Sequence, residues 1–412
     1  MDVFQANKLL QSGQPSLTQI IHVATPSFNA SHQLLNEPVT LRGLDPDHVL
    51  ILMNGIRYHN IAFQNQGLLK GHLGRGSVGN DLNSIPFAAI EKVEILRDGS
   101  SAQYGSDAIA GVINIRLKES TGKTSIQVHA GRFYAGDGLK VSIGLNSGVR
   151  INKKGFLNYS ADFRHQSPTS RGGEYKGTAY KNYPTGSTAA DSARIKAQDD
   201  SIFQTRGINK KVFTSNDGIS QLNSSGILIN GGYPISNNAE LFLTSAVNYQ
   251  ENRYAGSYRF PKNSNQVNTV LYPDGFKPEI KSNNWDVTLI TGLRGDTKNR
   301  WHWELSSTYG NNSNNNNISN TNNASQYALG KNAPTAFYLG KFIYTQYTNN
   351  ISFAKDLAKK NGGLKSCNLG MGAEWRFENY QQKEGEEASW KNYDVTGRRQ
   401  GGSQPTLARK MW

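Results

Sequence analysis

Apolar and polar residues alternate with a period of two along most of residues 120–380. In the segment 155–165, for example, Leu157, Tyr159 and Phe163 fall on one side and polar residues lie between them. Successive side chains of a strand point to opposite faces, so this spacing predicts strands rather than helices. Nine segments show it: 124–133, 138–149, 155–165, 221–232, 239–253, 283–295, 300–310, 341–357 and 364–380.

The connections between these segments are short and long in turn. Residues 166–220, 254–282 and the Asn-rich 311–340 are long, and the connections between them are short. Outer-membrane barrels keep short turns at one end and long loops at the other. The spacing therefore favours a membrane barrel, and a soluble multi-stranded sheet stays open as the alternative because any half-buried sheet alternates.

Aromatic residues gather near the ends of the predicted strands. Trp301 and Trp303 lie beside a short turn, and four others lie toward the long connections: Tyr249, Trp285, Tyr309 and Phe377. Barrels in membranes carry such aromatic girdles at both interfaces. The distribution supports the barrel interpretation.

Residues 1–119 show a different pattern, with short apolar runs separated by glycines. Strands are predicted at 39–44, 48–57, 91–98 and 111–118, and short helices at 5–12 and 16–23. Asn54-Gly55 is a signal for a type I′ hairpin turn. The pattern indicates a small α+β domain, joined to the alternating region by a linker at 118–124.

Composition narrows the class of protein. The net charge is +14, yet charged residues make up only 18% of the chain, which argues against a coiled coil or a charge-rich disordered chain. The single Cys367 excludes a disulfide framework. No apolar run reaches the length of a spanning helix, and no signal peptide is visible at the start.

The basic residues are spread over loops and turns, as in the Lys pairs at 153–154, 210–211 and 359–360. Binding of nucleic acid needs a concentrated basic face, so no nucleic acid is expected as a partner. Solvated loops, contacts with lipid headgroups and attraction of anionic ligands explain this distribution better.

Residues 39–57 and 81–118 carry a long, ordered set of motifs, VTLRGLDPDHVLILMNGIR and DLNSIPFAAIEKVEILRDGSSAQYGSDAIAGVINIRLK. This stretch resembles the plug domain of TonB-dependent outer-membrane receptors. The resemblance implies a plug that fills a 22-stranded barrel, as in other outer-membrane transporters. It also implies a TonB-type inner-membrane energy transducer as partner, outer-membrane lipid around the wall, and a small-molecule or metal-chelate ligand. Residues of the plug motif are Arg42, Gly43, Asn54, Gly55, Glu94, Arg97, Gly99, Tyr104, Gly105, Gly111 and Asn114.

The expected fold class is an α+β plug domain followed by an antiparallel transmembrane β-barrel, incomplete at about nine strands of 22. We expect the plug at 1–119, without leader or TonB box, the partial barrel at 120–380, and an external loop or tail at 381–412. About 13 strands would then lie beyond the chain. The resemblance implies transport of a scarce nutrient across the outer membrane, with an iron–siderophore complex as the first candidate.

A plug loop at the outer mouth is the first candidate for contact with ligand, through His72, Arg75 and Asn80. The same loop holds GRGSVG at 74–79, which fits a dinucleotide-binding motif, but no strand precedes it as that site requires. A nucleotide-binding enzyme is therefore a distant alternative, and a non-transporting β-rich surface binding protein is a nearer one. No catalytic residues, metal site or cofactor are predicted.

Arg42 and Arg97 are expected inside the filled barrel, where a buried guanidinium needs acidic partners. Candidate partners are Glu91 and Glu94 in the plug and Glu240, Glu304 and Glu374 on the wall. The two interpretations are an ion lock that holds the plug in the wall and local pairing within the plug.

Overall fold

The computed structural model describes residues 2–10, 16–25, 27–30, 38–62, 77–99, 104–213, 218–357, 367–397 and 399. Within these residues the chain forms an N-terminal five-stranded sheet with two short helices, followed by a nine-stranded antiparallel sheet. No helix among them is both long enough and apolar enough to cross a bilayer.

The N-terminal sheet has the strand order β1-β6-β7-β4-β5. Strand β4 runs parallel to β7, and the other pairs are antiparallel. Its strands are β1 (Asp2–Gln5), β4 (Val49–Met53), β5 (Ile56–Arg57), β6 (Ile90–Leu96) and β7 (Gly111–Leu117), and a separate pair is formed by β2 (Phe28–Ala30) and β3 (Val39–Leu41). The helices are α1 (Ala6–Leu10) and α2 (Leu17–Ala24), with 3₁₀ turns at Pro46–His48, Leu82–Ser84 and Phe87–Ala89.

The four predicted strand regions and both helices of this domain are present, and the sequence patterns missed β1 and β2. All five side chains of β4 are buried, as expected for a strand covered on both faces. Gly111 begins β7 at φ +151°, where an added Cβ would lie 2.2 Å from the Leu96 carbonyl oxygen. Only glycine allows β6 and β7 to approach this closely.

The second sheet runs in chain order, each strand paired with its neighbours. It confirms all nine predicted strand segments. The strands are β8 (Thr124–Gly131), β9 (Lys140–Ile151), β10 (Gly155–Gln166), β11 (Gln221–Ser236), β12 (Ala239–Ala255), β13 (Glu279–Asp296), β14 (His302–Ser319), β15 (Phe337–Asp356) and β16 (Asn368–Glu384). We call this sheet the wall; in the described residues β8 and β16 are its two edges.

The wall is polar on the face that packs against the N-terminal domain and apolar on the other. On β13, Asp286 is 2% exposed and Thr288 is fully buried, whereas Trp285 is 47% exposed and Leu289 is 40% exposed. Most of the polar face is buried because the N-terminal domain covers it. Burial is thus reversed relative to a water-soluble sheet, in which apolar side chains face the core.

Apolar contact nevertheless joins the two parts of the chain. The wall residues Leu228, Phe242, Ala246 and Ile290 belong to the same buried cluster as the core of the N-terminal domain. The two sheets therefore share one core, surrounded by polar contacts.

Aromatic residues of the apolar face form two groups across neighbouring strands, offset by four residues between β13 and β14. Tyr249 and Trp285 are directly opposite each other, with ring centroids 4.8 Å apart. Tyr309 faces Tyr347 with centroids 5.0 Å apart, and Tyr347 in turn faces Phe377. Tyr249 and Trp285 lie toward the long-connection end, as predicted, whereas Tyr309 lies near the middle of its strand because β14 continues to Ser319.

Two connections differ from expectation. The Asn-rich residues 311–317, predicted as part of a loop, continue β14 as a strand, and the connection that follows is 320–336. The connection 166–220, predicted as a polar loop, contains the 18-residue helix α3 (Ala189–Arg206) and a 3₁₀ turn at Lys210–Phe213. Two further helical segments are a kinked 3₁₀ segment at Ala324–Asn332 and α4 (Glu387–Trp390).

Candidate functional site

The seam between the N-terminal domain and the wall contains a fully buried polar network centred on Asp286. Its carboxylate accepts a hydrogen bond from the Tyr58 hydroxyl at 3.0 Å and another from the Asn312 amide at 2.8 Å. The His59 Nε2 atom lies 3.4 Å from Asp286 Oδ1 and 2.9 Å from Thr288 Oγ1. Burial and the neighbouring carboxylate raise the pKa of Tyr58 well above its usual range, so its hydroxyl remains a donor.

A second polar contact across the seam is a cluster of four charged side chains. Arg57 lies 2.5 Å from Asp107 and 3.1 Å from Glu374 of the wall, and Arg376 of the wall lies 2.7 Å from Asp107. Burial alone would raise the pKa of Asp107, but Arg376 and Arg57 outweigh it and hold this pKa below its usual range. Two positive and two negative side chains thus join the N-terminal domain to β16.

The ion pairs across the seam involve other arginines than those the sequence singled out. Arg42 is exposed and has φ +58°, and it forms a tight turn with Gly43. Arg97 is half-exposed and pairs with Asp2 at 2.7 Å within the N-terminal sheet. The expectation that both lie buried inside the barrel is wrong; Arg57 is the buried arginine that reaches the wall. Of the candidate wall partners, Glu374 makes this contact, whereas Glu240 pairs with Arg294 on the neighbouring wall strand.

Several plug-motif residues form one hydrogen-bonded chain. The Gly55 N–H donates to Asn114, and the Asn114 amide donates to Glu94, at 2.9 and 2.8 Å. Asn54 accepts from the Leu117 N–H at 2.9 Å and donates to Asn230 of the wall at 3.2 Å. Asn54 and Gly55 both have positive φ, which confirms the predicted I′ hairpin between β4 and β5.

The other motif residues lie in or beside turns. Tyr104 packs beside the small cluster of Leu50, Leu52, Ala108 and Val112. Gly105 has φ +92°. Gly99 is exposed at the end of the segment that follows β6. A structural or coupling role for these motif residues stays a prediction.

Two of the three predicted ligand residues, His72 and Arg75, lie outside the described residues, as does the first half of the 74–79 glycine loop. Asn80 is 3% exposed, and its amide donates to the His59 carbonyl at 2.6 Å. Asn80 therefore supports the His59 segment from within the domain, and its contact with a ligand stays a prediction.

The described residues of the two connections 167–220 and 256–278 fold together into a small unit, which we call the loop cluster. The fully buried Asp199 of α3 accepts hydrogen bonds from the backbone N–H groups of Ala179, Tyr180 and Lys181 at 2.8 to 2.9 Å. Packed aromatic rings form its core: Tyr175, Tyr180, Phe203, Phe213, Tyr258 and Phe260.

Side-chain contacts hold the loop cluster together and join it to the neighbouring long connections. Asp274 accepts from the Tyr180 hydroxyl at 2.8 Å and pairs with Arg206. The Asn322 side chain accepts from the Asn268 N–H at 3.0 Å, and Asn323 donates to the Ala388 carbonyl at 3.0 Å. These contacts link the long connections at one end of the wall into a continuous rim.

Helix α3 begins with a capping box in which Thr188 and Asp191 bond each other's backbone N–H. We expect Thr188→Ala to destabilise the helix by about 1 kcal/mol, because one N-terminal N–H loses its acceptor. Amide hydrogen exchange in the first turn of α3 should become roughly fivefold faster. Ser187→Ala is the matched control, since that hydroxyl donates to the Pro184 carbonyl outside the helix. Equal acceleration in both variants would contradict the capping role.

Comparison with known proteins identifies the N-terminal domain. Residues 1–112 match the family model of the TonB-dependent receptor plug domain. The vitamin B12 transporter BtuB of Vibrio cholerae is 34% identical over 118 residues, which are 29% of this chain and 16% of that protein. The probable TonB-dependent siderophore receptor PirA of Acinetobacter baumannii is 32% identical over 122 residues, which are 30% of this chain and 15% of that protein.

Solved structures extend the similarity to the wall. A variant of the ferric enterobactin receptor PfeA from Pseudomonas aeruginosa matches 92% of this chain with a TM-score of 0.60 and 17% identity. The siderophore receptor PirA from Acinetobacter baumannii matches all of it with a TM-score of 0.57 and 17% identity. The chain covers 49% and 51% of these two receptors, and at such identity the likeness shows the fold alone. Together with the plug match over the N-terminal domain, this shared fold makes the chain similar to TonB-dependent receptors, as a plug domain followed by nine strands like those of their barrel wall.

Proposed function

We propose that the protein is an outer-membrane receptor that takes up a bulky metal chelate in an energy-coupled step. The observation that carries the membrane assignment is the reversed burial of the wall, with polar side chains against the plug and apolar ones outside. On β13 the apolar face extends from Trp285 to Leu293, about 27 Å along the strand at about 3.4 Å per residue. A strand tilt of about 40° reduces this to about 21 Å, close to the apolar band of outer-membrane barrels.

The plug supports the transport assignment. It closes the inner side of the wall through polar contacts such as Tyr58 to Asp286 and Arg57 to Glu374. Polar contacts of this kind can be exchanged for water when the plug moves, at a smaller net cost than apolar contacts of equal area. A TonB-type transducer that pulls on the plug is the proposed partner, and no catalytic chemistry on the ligand is required.

The ligand class rests on the relatives and on charge. The two relatives are a vitamin B12 transporter and a probable siderophore receptor, and both ligands are bulky metal chelates. The loop cluster carries excess positive charge: eight Lys and Arg against five Asp and Glu in 167–220, and three against one in 256–278. An anionic ferric siderophore is therefore the proposed ligand, and vitamin B12 is the second candidate because its transporter BtuB is 34% identical to this chain over 118 residues.

The test uses the protein as its gene encodes it, in cells that lack other receptors for iron chelates. We expect it in the outer-membrane fraction, with uptake of radiolabelled ferric siderophore that stops when the proton gradient is collapsed. Uptake of labelled vitamin B12 alone would select the second candidate. Binding without uptake of either ligand would instead favour a non-transporting surface binding protein.

A further inference from the structure

The His59 side chain occupies a closed socket in the seam. It is fully buried, and its partner Asp286 is 2% exposed. The wall makes room for the ring at Gly310, where an added Cβ would lie 2.2 Å from His59 Cγ. The socket exists only while the plug is seated, because one half belongs to the plug and the other half to β13 and β14.

The hydrogen bonds determine where protons lie in this socket. His59 Nδ1 is 2.9 Å from the Asn60 carbonyl oxygen, which can only accept, so Nδ1 carries a hydrogen. Tyr58 and Asn312 donate to the Asp286 carboxylate, yet both are neutral. A buried carboxylate without a positive partner is strongly unfavourable. A second proton on His59 Nε2, which lies 2.9 Å from Thr288 Oγ1 and 3.4 Å from Asp286 Oδ1, would supply the positive charge.

Among the residues that the structure describes, few other titratable groups face the ring. Tyr58 lies on the same segment and stays protonated, and Asp286 faces it from β13. The neighbours from β14 and from the Leu82–Ser84 turn are neutral: Gly310, Asn312 and Ser84. The next carboxylate, Asp81, accepts a hydrogen bond from Gln250 of the wall at 3.1 Å. His59 and Asp286 therefore form the proton-binding pair of this socket.

We propose that seating of the plug is linked to proton binding: docking adds one proton from solvent to His59 Nε2, and withdrawal returns it. The N–H bond forms when the plug docks and places His59 beside Asp286. It breaks when undocking exposes His59 to water at a pH above its normal pKa. The inference rests on the plug moving relative to the wall, as the proposed function requires. It gives the receptor a seal that is tightest in acidic surroundings and released more easily at higher pH.

The direction of the pH effect on docking follows from the direction in which docking shifts the pKa of His59. Burial, the largest influence, lowers the pKa of His59, but Asp286 and the hydrogen bonds outweigh it, so the pKa of the docked side chain is raised. A raised pKa stabilises docking fully below the free value of about 6.5, and this stabilisation is lost as pH rises through the docked value. Between these two values the undocking constant should rise tenfold per pH unit, which corresponds to one proton.

A thiol reporter measures undocking directly. Ala246 of the wall is 4% exposed and packs in the shared core beneath the plug. In the protein as its gene encodes it, with Cys367→Ser, Ala246→Cys should react with a water-soluble maleimide only when the plug undocks. The rate is divided at each pH by that of the same reporter in a His59→Gln, Asp286→Asn double variant, which cancels the titration of the thiol itself.

We expect this ratio to be constant from pH 5.5 to about 6.5 and then to rise by up to tenfold per unit. Division of the labelling rate of the native reporter protein by its labelling rate in urea should give the same dependence on pH. The test therefore does not require the double variant to fold. Asn230→Ala is the control, because its contact with Asn54 involves no ionisable group; it should change the rate by one factor at every pH. Ratios that stay flat to pH 9 would overturn the proposal, whereas the proposed function is decided separately by uptake.

Discussion

Replacement of Gly310 by valine should prevent the plug from seating. The added Cβ would lie 2.2 Å from His59 Cγ and 2.3 Å from His59 Cβ, and an atom so close to the plug backbone cannot be relieved by rotating a side chain. Overpacking of this kind costs up to about 3 kcal/mol. Displacement of His59 would also leave the buried Asp286 carboxylate without its positive partner. We therefore expect the undocked fraction to rise at least 100-fold.

In the proposed receptor, an unseated plug would leave the interior of the barrel open. Cells that carry Gly310→Val should become sensitive to large hydrophilic antibiotics that the outer membrane normally excludes, and the Ala246→Cys reporter should react at all pH values. Gly131→Val is the matched control, since an added Cβ on that β8 residue meets no atom within 4 Å. Normal antibiotic resistance in Gly310→Val cells with normal amounts of protein in the outer membrane would contradict the socket.

The strands of the wall were predictable because a sheet that is polar on the face against the plug and apolar on the other must alternate along every strand. The same environment misled the interpretation of residues 311–317. An Asn-rich segment in a soluble protein indicates a loop, but here Asn312, Asn314 and Asn316 are all buried. Asn312 bonds to Asp286 and accepts from the plug at Ala62, Asn314 bonds to Ser282, and Asn316 bonds to Asn314. Polarity marks the inner face of this wall, so it cannot distinguish strand from loop.

Helix α3 was missed for a different reason. It is part of the loop cluster and buries only a few side chains, among them Ile195 and Phe203, so it has no continuous apolar stripe. Thr188 with Asp191 three residues later, and Gly207 at the end with φ +64°, are start and stop signals that could have indicated it.

The seam residues were beyond prediction because their partners are remote in sequence. Arg57 and Glu374 are separated by 317 residues, and Tyr58 and Asp286 by 228. A single sequence shows which arginines belong to a motif but not which acidic residues lie near them in the fold. The sequence patterns therefore selected Arg42 and Arg97. Asp107 lies within the plug stretch that the resemblance covers, but its shared contact with Arg57 and Arg376 depends on how the plug sits in the wall.

Arg57→Ala should weaken docking of the plug by about 3 kcal/mol, or about 100-fold in the undocking constant. Arg57 is 7% exposed and bonds both Asp107 and Glu374, so its removal leaves two partly buried carboxylates with only Arg376 nearby. Glu374→Ala should cost less, about 1 kcal/mol, because Glu374 is a third exposed and Arg57 keeps Asp107. The Ala246→Cys reporter measures both.

The double variant tests whether the two residues act as a pair across the seam. Since Arg57 and Glu374 are in contact, their effects should be non-additive by about 1 kcal/mol. Arg97→Ala is the control for loss of an arginine, because its pair with Asp2 lies within the N-terminal sheet and is half-exposed. It should leave the reporter rate unchanged. Additive effects of Arg57→Ala and Glu374→Ala would mean that the contact does not hold the plug, and docking would then depend on the His59 socket and the shared apolar core.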